Sequence, residues 1–149
     1  MANFFDAWRQ EQFGDAAGPG HGAVDFEADT IKAFLVDTGT TDPALATHQD
    51  FADLSTAADA VQTNHETALT SKTLVISGNV ITFDAADTTL SSLAGNSAEE
   101  LCLFKVAGGA ETADLLICQW DEADVTGLAF TPNGGDANIA WNASGIWAI

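Results

Sequence analysis

Residues 34–41 read FLVDTGTT, an apolar run closing on Asp37-Thr38-Gly39. This is the local pattern on which an aspartic protease mounts its catalytic carboxylate. Such chemistry needs two carboxylates sharing one proton, because like charges at close range cannot both ionise and their pKa values separate. No second Asp-Thr-Gly or Asp-Ser-Gly occurs here, so the other half would have to come from a second copy of the chain. Dimeric enzymes of that kind also carry a downstream apolar pair leading into Gly-Arg-Asn or Gly-Arg-Asp, whereas the one arginine of this chain, Arg9, lies upstream. Short motifs count only in context. The context here favours a strand, Phe34-Leu35-Val36, followed by a turn built from Asp37, Thr38 and Gly39.

The other reactive side chains are scattered. His21, His48 and His65 stand apart in flexible or polar segments, without the i, i+4 pairing or neighbouring cysteines of a zinc site. Serines sit outside any Gly-x-Ser-x-Gly elbow. Acidic turns at residues 37–42, 84–87 and 121–124 offer the oxygen ligands that calcium takes, but none has the ligand spacing of an EF-hand loop. Asn142-Ala143-Ser144 matches a glycosylation sequon that no secretory signal accompanies. Cys102 and Cys118 are equidistant from Ala110, so a symmetric hairpin would set them opposite each other. Two reduced, packed cysteines are expected rather than a bridge. The sequence thus assigns no catalytic residue, no cofactor and no metal.

The elements that must position these groups follow from periodicity. Residues 3–13, NFFDAWRQEQF, place Phe4, Phe5, Trp8 and Gln12 on one helical face and end at Gly14. With that helix or arm over 1–15, residues 16–28 read as a linker, opened by the glycine- and proline-broken AAGPGHG. Residues 29–149 read as one β domain. Strands are predicted over 30–36, 69–76, 80–83, 88–93, 101–106, 115–120, 137–141 and 146–149, with Ser77-Gly78-Asn79 marking a hairpin. Residues 50–60 read as a loop with one helical turn near Phe51. Short strands and glycine-rich turns at this frequency predict a mainly β fold, an antiparallel β-sandwich or barrel with a short N-terminal amphipathic helix.

Bulk properties set the limits. At 149 residues the chain is long enough to bury about two thirds of its unfolded surface without a metal or disulfide staple. Four basic residues, Arg9, Lys32, Lys72 and Lys105, face 22 acidic ones, a formal net charge of -18. A polyanion of this density is repelled by phosphate backbones, so no nucleic-acid partner is expected. No apolar stretch is long enough to span a bilayer and no signal segment is read, so a soluble chain made in the cytoplasm, with no membrane partner, is expected. Salt lowers the self-repulsion that such a charge imposes.

Three stretches taken together resemble a group of small structural proteins encoded by tailed bacteriophages. Residues 29–36, DTIKAFLV, then Asp42-Pro43 and Thr47-His48-Gln49-Asp50-Phe51, are similar to that group's opening strand, turn and THxxF segment. Residues 101–105 followed by Gly108-Gly109 resemble its hairpin. Residues 130–136, FTPNGGD, with Ile139-Ala140-Trp141-Asn142 and Gly145-Ile146, resemble its TPNGGD turn and IxWxxxGI ending. The order is kept over most of the chain from Asp29, while residues 56–72 depart from the pattern in their alanine content.

The resemblance implies a virion component, in the head or the tail. A compact acidic β module without a reactive constellation suits the outside of a particle. The expectation is therefore a capsid decoration or cement protein on the outer surface of the head shell, contacting the major capsid protein or other virion subunits. A homo-oligomer is expected, such as a trimer at a local symmetry axis. The alternatives are a tail or baseplate component and a glycan- or receptor-binding β module whose Trp stacks on sugars. Large apolar side chains dominate interfaces, which selects Phe4, Phe5, Trp8 and Phe13 on the helix, and Trp147 and Ile149 at the C-terminal end, as expected partner contacts. Core packing competes for each, most strongly for Trp141 and Trp147, which alternate with polar neighbours.

Overall fold

The computed structural model describes residues 2–14, 20–61 and 66–149. In chain order its elements are β1 (Asn3–Phe4), α1 (Asp6–Phe13), β2 (Ile31–Val36), a 3-10 turn (Phe51–Asp53), α2 (Ser55–Val61), β3 (Thr67–Ala68), β4 (Thr73–Ser77), β5 (Val80–Asp84), β6 (Thr88–Leu90), β7 (Glu100–Lys105), a second 3-10 turn (Glu111–Ala113), β8 (Leu115–Trp120), β9 (Ala137–Ile139) and β10 (Trp147–Ala148). They form a five-stranded sheet in the order β1-β8-β7-β2-β3, a three-stranded sheet β10-β5-β4 and a two-stranded ribbon β6-β9. The strand pairings are antiparallel, and the fold is the expected mainly β, sandwich-like one with a short N-terminal helix.

Strands β2, β7 and β8 are apolar at nearly every position, the pattern of strands covered on both faces. Period-two alternation sorts their side chains into two cores. Ile31, Ala33, Leu35, Leu101, Leu103, Leu115 and Ile117 face one way, where Phe83, Leu90, Leu93 and Trp147 of the smaller sheets and connecting chain cover them. Phe34, Val36, Cys102, Phe104 and Leu116 face the other way, under Phe51, Leu54, Ala57 and Ala58 of the helical layer. On that second side Phe51 and Phe104 stack with centroids 4.5 Å apart, and Phe34 meets Phe104 edge-on at 5.5 Å.

A bulge decides the cysteines. Leu103 pairs with Cys118 but Phe104 pairs with Leu116, so Ile117 is an extra residue on β8. Cys102 consequently lies opposite Gln119, one position out of step with Cys118. The two thiols point to opposite faces of the sheet, each buried and free, in separate cores.

Several expected boundaries change: the strands read over 69–76, 88–93 and 137–141 shorten to Thr73–Ser77, Thr88–Leu90 and Ala137–Ile139, and three further changes reach beyond strand length. The helix does not begin at residue 3: Asn3 and Phe4 pair with Gln119 and Cys118 as a short strand at the β8 edge, and α1 starts at Asp6. It ends as expected at Gly14, whose φ of 76° lets its N–H reach Gln10 O. Residues 20–28 are not a free linker. Glu11 accepts the N–H groups of Gly20, His21 and Gly22, and Gln12 that of Val24, while Val24 and Phe26 are buried in the larger core. Residues 16–19 lie outside the described chain. Residues 50–60 do contain the expected turn at Phe51, but continue as helix α2, which the local alanines favour and whose buried face covers the sheet.

Candidate functional site

Asp37 ends β2 as the anchor of a turn. Its Oδ1 accepts the Gly39 N–H at 2.9 Å, and its Oδ2 accepts Thr40 Oγ1–H and Asn96 Nδ2–H, each at 2.7 Å. Its carbonyl accepts the N–H groups of Thr40 and Thr41. The Asn96 and Thr40 bonds hold its carboxyl below the ordinary aspartate range, outweighing desolvation. Both oxygens are committed to tying the β2 end to the loop after β6. The turn expected at Asp37-Thr38-Gly39 is present, and its carboxylate does the work of a structural acceptor.

That same end of the central sheet gathers charge. Glu100, paired with Val36 across β2 and β7, is 8% exposed and its Oε2 has no hydrogen-bond partner. Burial, then the charges of Asp42, Asp121 and Glu99, push its carboxyl up to about 7. It opens onto a cleft of about 400 Å³ lined by Thr38, Asp42, Glu99, Asp121 and Glu122.

The remaining reactive groups stay dispersed. His21 Nε2 lies 3.1 Å from Thr112 O, and His48 Nδ1 accepts the Ala44 N–H at 3.2 Å; His65 lies outside the described residues. In the acidic turns, Asp84 accepts the Ala85 N–H, Asp87 that of Trp141, and Asp121 those of Ala123 and Asp124. Among the described residues no three His, Cys, Asp or Glu side chains converge as metal ligands.

The six expected contact residues divide. Phe5, Trp8 and Trp147 are buried inside the chain, a correction with two causes: Phe5 packs into the second core under the helical layer, and β10 closes the first core beside α1, burying Trp8 and Trp147. Trp8 lies 6.2 Å from Trp147, and Phe4, half-buried, stacks on Trp8 at 4.5 Å. Only Phe13, 72% exposed, and Ile149, 47% exposed, face outward as expected. Ile149 belongs to a larger patch. Ile76 pairs with Ile81, and Ile81 exchanges backbone hydrogen bonds with Ile149, so three isoleucines form a row across β4, β5 and the residue that follows β10. Ile76 is 70% exposed, and Val75 and Val80 are exposed on the hairpin's opposite face, with β4 at the sheet edge.

A second cleft, about 630 Å³, lies over Trp120 and Trp141, whose rings are 6.0 Å apart, with Asp124, Asp136, Asn138 and Asn142 around it. Trp141 is half-buried and its Nε1–H donates to Thr88 Oγ1 at 3.3 Å. No protein-family model matches this chain, and no curated protein is similar to it.

Sequence reasoning missed two of these features. The hairpin patch carried a signal: Leu74-Val75-Ile76 and Val80-Ile81 are continuous apolar runs on both sides of a two-residue turn, too many for one buried face. Glu100 carried none, because an acidic residue ahead of an apolar strand reads as a solvated strand end.

Proposed function

We propose that this chain is a structural protein of a tailed-bacteriophage virion, a decoration protein that docks on the outer surface of the head shell and stabilises it. The observation that carries this reading is the hairpin patch. Exposed aliphatic side chains on both faces of an uncharged edge strand are what soluble proteins ordinarily avoid, and such patches mark sites of protein contact. The net charge of -18 keeps free molecules apart until a complementary surface is met. Binding an assembled lattice more tightly than its free subunits converts contact energy into shell stability by mass action. Repeated engagement, as in a trimer on a local axis, strengthens it without one tight interface.

The test is sedimentation of the purified chain with undecorated heads at native salt. Co-sedimentation is expected, and it should fall at least tenfold for Ile76→Asp, which changes an exposed position. Absence of binding by the unaltered chain sinks the decoration reading; labelling found on the tail of intact particles replaces it with a tail or baseplate component. One observation favours a different class. The tryptophan-floored cleft with its amide and carboxylate rim has the composition of a glycan site, and glycan-array binding abolished by Trp141→Ala would promote that reading.

A further inference from the structure

The carboxylate cleft at the end of the central sheet shares no residue with the hairpin patch. Its construction is set by register. Leu101 pairs with Trp120, so the next step along β7 and β8 sets Glu100 beside Asp121, while Glu99 precedes β7 and Asp42 arrives from the chain after β2. Glu99 is partly used, its Oε2 accepting the Thr38 N–H at 3.0 Å. Glu100 is not: it is 8% exposed and its buried Oε2 has no donor. A second orphan lies on the adjacent strand. Gln119, opposite Cys102 and thus diagonal to Glu100 on the same sheet face, has a buried Oε1 that also lacks a donor. Buried acceptors left without donors are rare and costly; Glu100 is the one of the two that lines the cleft, and it marks a place where a donor group belongs.

The chemistry of that donor can be narrowed. The chain's own cations do not supply it: Arg9 pairs with Asp6, Lys32 with Glu66 and Lys105 with Asp29, and none of these, nor Lys72, lines the cleft. A calcium ion needs several oxygens converging within about 2.6 Å of one point, and no described trio does so. A guanidinium has the opposite requirement. It is always charged, carries five N–H donors in a planar fork, and reaches acceptors that stand apart from one another. A cleft of about 400 Å³ admits it with its stem.

We propose that this cleft receives an arginine side chain presented by a partner protein, with Glu100 as the buried contact and Asp42, Glu99, Asp121 and Glu122 around it. Burial first, and then the charges of Asp42, Asp121 and Glu99, raise the Glu100 carboxyl to about 7 in the free protein. A bound guanidinium favours its ionised form, and binding therefore strengthens as pH rises through that value. The proposal holds whichever particle or surface the partner belongs to.

The full chain titrated with L-argininamide, followed by proton–nitrogen correlation NMR, tests it. Saturable shifts are expected at the amides of residues 99–101 and 121–122, with affinity about tenfold higher at pH 8 than at pH 6. Glu100→Gln should weaken binding tenfold or more at pH 8 and remove the pH dependence. Asp121→Asn should weaken it less, and gives a second reading should the first variant fold poorly. The proposal is overturned if argininamide moves no resonance of the cleft, if both variants bind as well as the parent, or if calcium chloride displaces argininamide at lower concentration.

Discussion

Asp37 and Glu100 are buried carboxylates at the same end of the same sheet, yet their environments push them in opposite directions. Asp37 receives three side-chain and backbone donors and stays ionised below the ordinary range. Glu100 sits among other acids with one oxygen unpartnered, and its carboxyl rises to about 7. At Asp37 the donated hydrogen bonds outweigh desolvation, whereas at Glu100 desolvation comes first and the charges of Asp42, Asp121 and Glu99 add to it. The pair shows how one acidic residue becomes part of the scaffold while its neighbour is left with an unpartnered oxygen.

Substitutions can break either side of this contrast. The largest expected effect is at Gly95, where an added Cβ would lie 2.3 Å from the carbonyl oxygens of Ala60 and Val61 at the end of α2. Gly95→Ala must move the loop that delivers Asn96 to Asp37, and should cost about 3 kcal/mol in urea unfolding; a loss below about 1 kcal/mol would mean that the loop yields freely.

Glu100→Gln should act the other way. The folded carboxyl is raised from 4.5 to about 7, so its favourable contribution is complete at low pH and is lost as pH climbs through that interval. The variant should therefore be more stable than the parent by roughly 2–3 kcal/mol at pH 8, with the gain fading near pH 4.5. An equal gain at both pH values would show that charge is not its source.

Asn96→Ala removes the strongest donor to Asp37 and should cost about 1–2 kcal/mol at pH 7. Because the Asp37 carboxyl is lowered, that cost should shrink as pH falls below the ordinary aspartate range. Thr40→Val, deleting the second donor, should follow the same pH course at about 1 kcal/mol. Thermal scans from pH 3 to 8 would separate the two signs, since the Asn96 and Thr40 variants converge on the parent in acid and the Glu100 variant diverges from it in base.

Local signals were legible where the chain decides its own structure. Residues 115–120 were expected and observed as a strand because a run apolar at every position but Gln119 is bounded by Asp114 and Asp121. The Asp37 turn and the Gly14 helix end followed from short-range chemistry in the same way. What escaped depends on distant pairings. The α1 face was rightly read as apolar, but only the return of β10 makes it core, placing Trp147 within reach of Phe4, Trp8 and Phe26. The burial of Glu100 is equally non-local, set by Val36 on one side and the end of β8 on the other. The exposed hairpin inverts the usual inference, since apolar strands read as interior and only sheet order shows β4 standing at an edge.

One inserted residue has a lasting chemical effect. By adding Ile117 to its strand, the fold turns the sulfur of Cys118 away from that of Cys102 and seals each beneath a different layer. Burial also raises both thiols well above their usual titration range, leaving little thiolate to react. Prolonged exposure to air should therefore neither cross-link the chain internally nor couple it to its copies, and its durability is indifferent to the redox state of its surroundings.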